Sequence, residues 1–235
     1  MVQLPVDEAS QARLTSVGIE CVLLDFDGPI CRLFAGHPAS VAASRLKARL
    51  GDLSLLPPEL AGTDDPHGLL WEIATGSGGN AREVSAELNA LLAKEEVVAA
   101  ASATVTPGTA DLVRGLRARG LHLGVVSNNG WEAIRNVLLA THLLELFDGP
   151  IVGRPDDARL MKPDGFMLRE AVKQLGTKPE RCLFVGDSWR DAEAARQVGV
   201  NFVGYAKSAR KRREMTKANA KRVVSRMQDV MGLLP

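Results

Sequence analysis

Leu23-Leu24-Asp25-Phe26-Asp27-Gly28-Pro29-Ile30 (LLDFDGPI) is the stretch on which the reading of this chain turns. It closes an apolar run, Ile19–Asp25 (IECVLLD), of the length and composition of a buried strand. The run ends on one carboxylate and meets a second two residues later, and Gly28-Pro29 then forces a turn. In open α/β sheets, ligands bind beyond the carboxyl ends of the strands, so acidic groups placed there are candidates for chemistry. Asp-Gly turns also follow strands with no function attached, and taken alone the stretch leaves both readings open.

Outward from this point the chain alternates. Leu121–Ser127 (LHLGVVS), Gly149–Val152, Arg181–Asp187 (RCLFVGD) and Val200–Val203 read as further strands. Thr109–Arg119, Glu132–Leu144, Gly165–Leu175 and Trp189–Val198 carry apolar residues at helical spacing, and Gly120, Gly176 and Gly199 mark ends. This alternation predicts an α/β fold, a Rossmann-like parallel sheet with helices on both faces. One connection is too long. A βαβ unit takes about 30 residues, so about 70 are surplus between Asp25 and Ser127. The surplus is mostly helical in pattern: Ser40–Leu50, Gly68–Ala74 and Arg82–Ala103, the last either continuous or broken. Pro57-Pro58 and Gly76–Asn80 (GSGGN) punctuate it. We expect an inserted helical domain over 34–104 and a core built from 1–33 and 105–235; a helical crossover packed on the sheet is the alternative.

Composition narrows the function. The chain has 235 residues with Lys+Arg 29 against Asp+Glu 28, so no overall field draws it to nucleic acid or a membrane surface. Aromatic residues make up only 4%, which disfavours a base-stacking surface. A local basic stretch, Tyr205–Arg226, holds nine Lys/Arg against Glu214 and reads as a solvated helix face rather than a nucleic-acid site. No apolar run approaches the roughly 18 residues of a membrane span. Met1–Gln11 is mixed and acidic, unlike a signal peptide. Cys21, Cys31 and Cys182 lack paired spacing, so neither a disulfide framework nor a zinc site is expected, and a reducing, cytoplasmic setting fits.

Three more signals sit at strand ends or in nearby loops. Phe184–Asp191 (FVGDSWRD) ends a strand on Asp187 and places Asp191 four residues on, either in the same crevice or as a helix N-cap. Val125–Gly130 (VVSNNG) offers the Ser127 hydroxyl and the backbone amide of Asn128 to a phosphate. Lys162 precedes Pro163-Asp164-Gly165. Carboxylates gathered at one sheet edge repel, and a hard cation with oxygen ligands, Mg²⁺, is the natural remedy.

In order and content these signals resemble the haloacid dehalogenase superfamily, mainly its phosphatases. The likeness rests on Asp25-Phe26-Asp27-Gly28, Ser127, Lys162 and Gly186-Asp187-Ser188-Trp189-Arg190-Asp191, and the insertion is similar to that family's type 1 helical cap. Two positions depart from its pattern: Pro29 stands where Thr is usual, and Gly165 where many relatives have Pro. The resemblance implies a phosphatase acting on a small phosphorylated metabolite. Asp25 would be nucleophile and Asp27 general acid and base. Ser127, the amide of Asn128 and Lys162 would hold the phosphoryl oxygens, and Gly28 would turn the chain away from them. Mg²⁺ would bind Asp25, the backbone carbonyl of Asp27, and Asp187, with Asp191 in support. A phosphosugar mutase on the same residues, or a non-catalytic phosphate-accepting module, are the alternatives. Arg32 and His37 could reach a substrate, and Trp131 and Trp189 could be core or site wall.

Overall fold

A computed structural model describes residues 18–234. The reading of Met1–Gln11 therefore lies outside the described residues. The core is a six-stranded parallel sheet built from β1 (Cys21–Leu24), β4 (His122–Val126), β5 (Ile151–Val152), β6 (Cys182–Gly186), β7 (Asn201–Tyr205) and β8 (Val223–Val224). Their order is β5-β4-β1-β6-β7-β8, with β1 central and paired in register to β4 through Cys21↔His122 and to β6 through Cys21↔Cys182. The chain runs from β1 to one side and then returns to the other. The switch between β1 and β6 opens a crevice at the carboxyl ends of the strands.

Alternation along the strands sorts the side chains into two layers. Val22, Leu24, Leu123 and Val125 pack under α4 (Thr109–Ala118) and α5 (Trp131–Ala140). Cys21, Leu23, Val126 and Phe184 face α6 (Phe166–Leu175) and α7 (Trp189–Val198). The three cysteines are buried free thiols.

The surplus residues are helical, as the pattern indicates. Beyond β1 a short strand, β2 (Cys31–Arg32), pairs antiparallel with β3 (Thr104–Val105), and this ribbon is the stem of the insertion. Between its strands lie α1 (Ala39–Asp52), α2 (Pro66–Thr75) and α3 (Ala81–Ala100), which share their own core of Ala42, Leu46, Leu70, Leu88 and Leu92. Of the two forms considered for the third helix, the continuous one is present. The Glu132–Leu144 helix is shorter than expected: α5 stops at Ala140, and His142 takes a positive φ of 53° before a 3-10 turn at Leu144–Leu146. The helix α8 (Ala209–Lys217) follows β7. Among the described residues no helix is long and apolar enough to cross a membrane.

Candidate active site

Adjacent parallel strands deliver the polar groups to one edge: Asp25 follows β1, Ser127 follows β4 and Asp187 follows β6. One cleft there is lined by Asp25, Asp27, Ser127, Asn128, Lys162, Asp187 and Asp191. Gly28 lines an adjoining cleft that shares Asp27 and Asp187 with the first. The structure thus brings the eight residues that the resemblance gives a role, Asp25, Asp27, Gly28, Ser127, Asn128, Lys162, Asp187 and Asp191, to these two adjoining clefts.

Lys162 organises the floor. It is 2% exposed, and its Nζ lies 2.8 Å from Asp25 Oδ1 and 2.6 Å from Asp191 Oδ1 while donating to the Val126 carbonyl at 2.9 Å. Burial works against its charge, but Asp191 and Asp25 hold its pKa above the ordinary value. Asp191 faces the crevice and also serves the helix start, where Ser188 is the N-cap and Asp191 the third residue of the first turn. Its Oδ2 accepts from the Ser188 hydroxyl at 2.6 Å and from the Ser188 N–H at 2.9 Å, closing a capping box at the start of α7, while Oδ1 faces the lysine.

The carboxylates are crowded, Asp25 and Asp191 buried and Asp27 and Asp187 partly so. Burial pushes Asp25 up to about 7; Lys162 opposes the rise, and Asp191 and Asp187 add to it. Burial likewise takes Asp187 to about 6, against the pull of Lys211. Asp27 is raised by burial, partly offset by the Leu33 N–H that donates to its Oδ1 at 2.9 Å. Asp25, Asp187 and Asp191 each have one oxygen within 4.8 Å of the others. An all-oxygen, carboxylate-rich cradle of this kind suits a hard divalent cation such as Mg²⁺. Since both oxygens of Asp191 are engaged, Asp25 and Asp187 are the better donors. Gly28 makes room for this pair. Its φ is 115°, and a Cβ there would sit 2.7 Å from Asp187 Cγ.

Ser127 is 1% exposed; its hydroxyl donates to Asn129 Oδ1 at 3.0 Å and accepts the Asn129 N–H at 3.2 Å. The Asn128 side chain clamps Lys162, accepting its N–H at 2.9 Å and donating to its carbonyl at 2.9 Å. What Asn128 can offer a phosphoryl group is therefore its backbone N–H.

Several participants escaped the sequence reading. Glu96, on α3 and wholly buried, accepts from His67 Nε2 at 2.8 Å, Arg154 Nη1 at 2.7 Å, Asn129 Nδ2 at 3.0 Å and the Gly130 N–H at 2.9 Å. Burial alone would raise its pKa, but the Arg154 charge and the His67 hydrogen bond outweigh it and hold Glu96 at about 2. The available signal was a carboxylate on the apolar stripe Leu88, Leu92, Ala99 of its helix. The solvated-face reading of Tyr205–Arg226 needs correction at its start: Lys207 and Lys211 line the adjoining cleft, and Lys211 Nζ donates to the Asp187 carbonyl at 3.0 Å and lies 3.3 Å from its carboxylate. Among nine cations, nothing local marks those two. Arg32 does line the adjoining cleft. His37 instead bonds Glu95 at 2.8 Å, and Trp131 and Trp189 are exposed rather than core.

A family model described as haloacid dehalogenase-like hydrolase matches residues 19–199. Among curated proteins, the phosphoglycolate phosphatase of Synechococcus elongatus is 38% identical over 94 residues, which are 40% of this chain and 42% of that protein. The phosphoglycolate phosphatase of Escherichia coli is 36% identical over 98 residues, 42% of this chain and 38% of that protein. The matched stretch thus spans only those shares of the curated relatives. Among solved structures, CbbY from Rhodobacter sphaeroides in complex with phosphate is 20% identical with a TM-score of 0.64, over 92% of this chain and 99% of that one. A predicted phosphatase from Clostridium acetobutylicum is 18% identical with a TM-score of 0.68, over 91% and 96%. At these identities the likeness is one of fold.

Proposed function

Because this chain belongs to the haloacid dehalogenase-like hydrolases, we propose that it is a Mg²⁺-dependent phosphatase that hydrolyses a small phosphomonoester through an aspartyl-phosphate on Asp25. The observation that carries the reading is the convergence on one cleft of Asp25, held by the buried Lys162, with Asp27 and Ser127. In this reading residues 34–104 form the cap and 1–33 with 105–235 the core. The names of the curated relatives make phosphoglycolate one candidate substrate.

Asp25 attacks phosphorus with one carboxylate oxygen while Lys162 holds the other. Asp27, whose burial favours the protonated form, gives its proton to the leaving alkoxide. It then takes a proton from the water that opens the acyl phosphate. Lys162 and the Asn128 N–H would hold the transferring oxygens, joined by the Ser127 hydroxyl once it turns from Asn129, and such fixed donors act most strongly where burial lowers the local dielectric. Mg²⁺, held by Asp25, Asp187 and the Asp27 carbonyl, would neutralise phosphoryl charge.

The test is a panel of phosphomonoesters assayed with Mg²⁺, with and without chelator, on the native chain and on Asp25→Asn. We expect Mg²⁺-dependent release of phosphate that Asp25→Asn abolishes while leaving the circular dichroism spectrum intact. Native-level turnover by Asp25→Asn would overturn the covalent mechanism, and full activity after exhaustive chelation would overturn the metal requirement.

A further inference from the structure

Next to the cleft that holds Asp25 lies a second one of about 340 Å³, lined by Asp27, Gly28, Arg32, Asp187, Tyr205, Lys207 and Lys211. The two share Asp27 and Asp187, so a molecule reacting at Asp25 can extend from one into the other. The cations come from three separate parts of the chain. Arg32 stands on β2, Lys207 in the loop after β7, and Lys211 in the first turn of α8. Their partners do not neutralise them fully. Arg32 donates Nε to the neutral Thr104 hydroxyl at 3.1 Å, and Lys207 lies 5.3 Å from the centre of the Tyr205 ring. Among the described residues, neither has a carboxylate at ion-pair distance, whereas Lys211 has Asp187 at 3.3 Å. Desolvation and the nearby charge of Arg32 hold the Lys207 ammonium below its ordinary pKa, as expected of two cations facing the same space. Asp187 and Asp27 are the carboxylates that draw on this set, and a metal ion on Asp187 would leave the cleft more positive still.

From this placement we infer that the cleft of Arg32, Lys207 and Lys211 is a binding site for a second anionic group of the substrate, so that the preferred substrates are phosphomonoesters carrying a further carboxylate or phosphate. The inference rests on the phosphatase reading for what happens at Asp25, but it makes a separate statement about binding. One group is split by the chemistry beside Asp27; the other stays whole among the three cations and sets the register of the leaving group. Arg32 adds specificity because its planar guanidinium can take two oxygens of one carboxylate or phosphate. Its position on the stem of the inserted helices also ties occupancy of the cleft to the segment that leads into them.

Three chain-matched probes separate the possibilities: propyl phosphate, 3-carboxypropyl phosphate and propane-1,3-diol bisphosphate. Their binding to Asp25→Asn with Mg²⁺ is measured by calorimetry, so that turnover does not interfere. We expect at least one of the two-anion probes to bind about 10- to 100-fold more tightly than propyl phosphate, the range of one or two charge-assisted hydrogen bonds. Which of the two gains more tells carboxylate from phosphate. Adding Arg32→Gln and Lys207→Gln should erase most of that preference while weakening propyl phosphate far less. Equal binding of all three probes, or a preference that survives both substitutions, overturns the subsite. Turnover of the same probes by the native chain reports on the phosphatase reading separately: no hydrolysis of any phosphomonoester would sink that reading while the binding result on the cleft still stands.

Discussion

Asp27 tests the proposed chemistry most sharply at the scale of single residues, because two esters should respond to its loss differently. An alkyl leaving group is strongly basic and needs a proton as the P–O bond breaks; an aryl leaving group does not. General acid catalysis contributes about 10²–10⁴-fold, so Asp27→Asn should slow an alkyl phosphate by about that factor and spare much of the first step on an aryl phosphate. In the proposed mechanism, opening of the acyl phosphate also needs Asp27, as base. Rapid mixing of the variant with an aryl phosphate should then give a burst of phenol near one equivalent per site, followed by slow turnover. Small, equal effects on both esters would return Asp27-Gly28 to the role of a simple turn. Every residue of this kind was legible in advance because each sits at a strand end or in a loop beside one, where a charged or hydroxylic side chain breaks an apolar run. Lys211 lacks that contrast because it stands in a run of cations, whereas Arg32 was legible only through its nearness to the first motif.

At the scale of elements, the turn after β1 depends on Gly28. The positive φ costs another residue about 1–3 kcal/mol. The new methyl group would also push Asp187 away from Asp25. Gly28→Ala should therefore lose activity chiefly by weakening the metal site, and raising the Mg²⁺ concentration should recover part of it. An unchanged Mg²⁺ activation curve would show that Asp187 has room to move. The four interior strands were readable because apolar runs bounded by glycines outlast the noise of a single sequence. Of the two-residue strands, β5 was readable within Gly149–Val152, whereas β2, β3 and β8 show no alternation and were invisible. The early end of α5 was hidden too, since the left-handed turn there falls on His142 rather than on a glycine.

Across the whole molecule, the tie between the inserted helices and the core is ionic and buried. Glu96 leaves α3 to meet Arg154 and Asn129 on the core, and the Arg154 side chain is itself 1% exposed. Removing either partner would strand a charge in a dry place. The titration has a definite sign. Glu96 is held at about 2 against an ordinary 4.5, so its ionised form is favoured by folding. That contribution is complete above about pH 4.5, decays as pH falls to about 2, and amounts to about 3 kcal/mol. Denaturant midpoints of the native chain and Glu96→Gln should differ most above pH 4.5 and converge toward pH 2. A gap that stays constant over this window would mean that Glu96 is not the titrating group. The sheet order has a consequence for how the molecule is made. The central strand β1 is synthesised first, but its neighbours β4 and β6 begin only at His122 and Cys182. At about 5–20 residues per second, the ribosome needs on the order of 10–30 s to reach the second of them. Throughout that interval a strand that is wholly buried in the finished sheet has at least one open edge, so a nascent chain of this topology depends on shelter that the finished enzyme never needs.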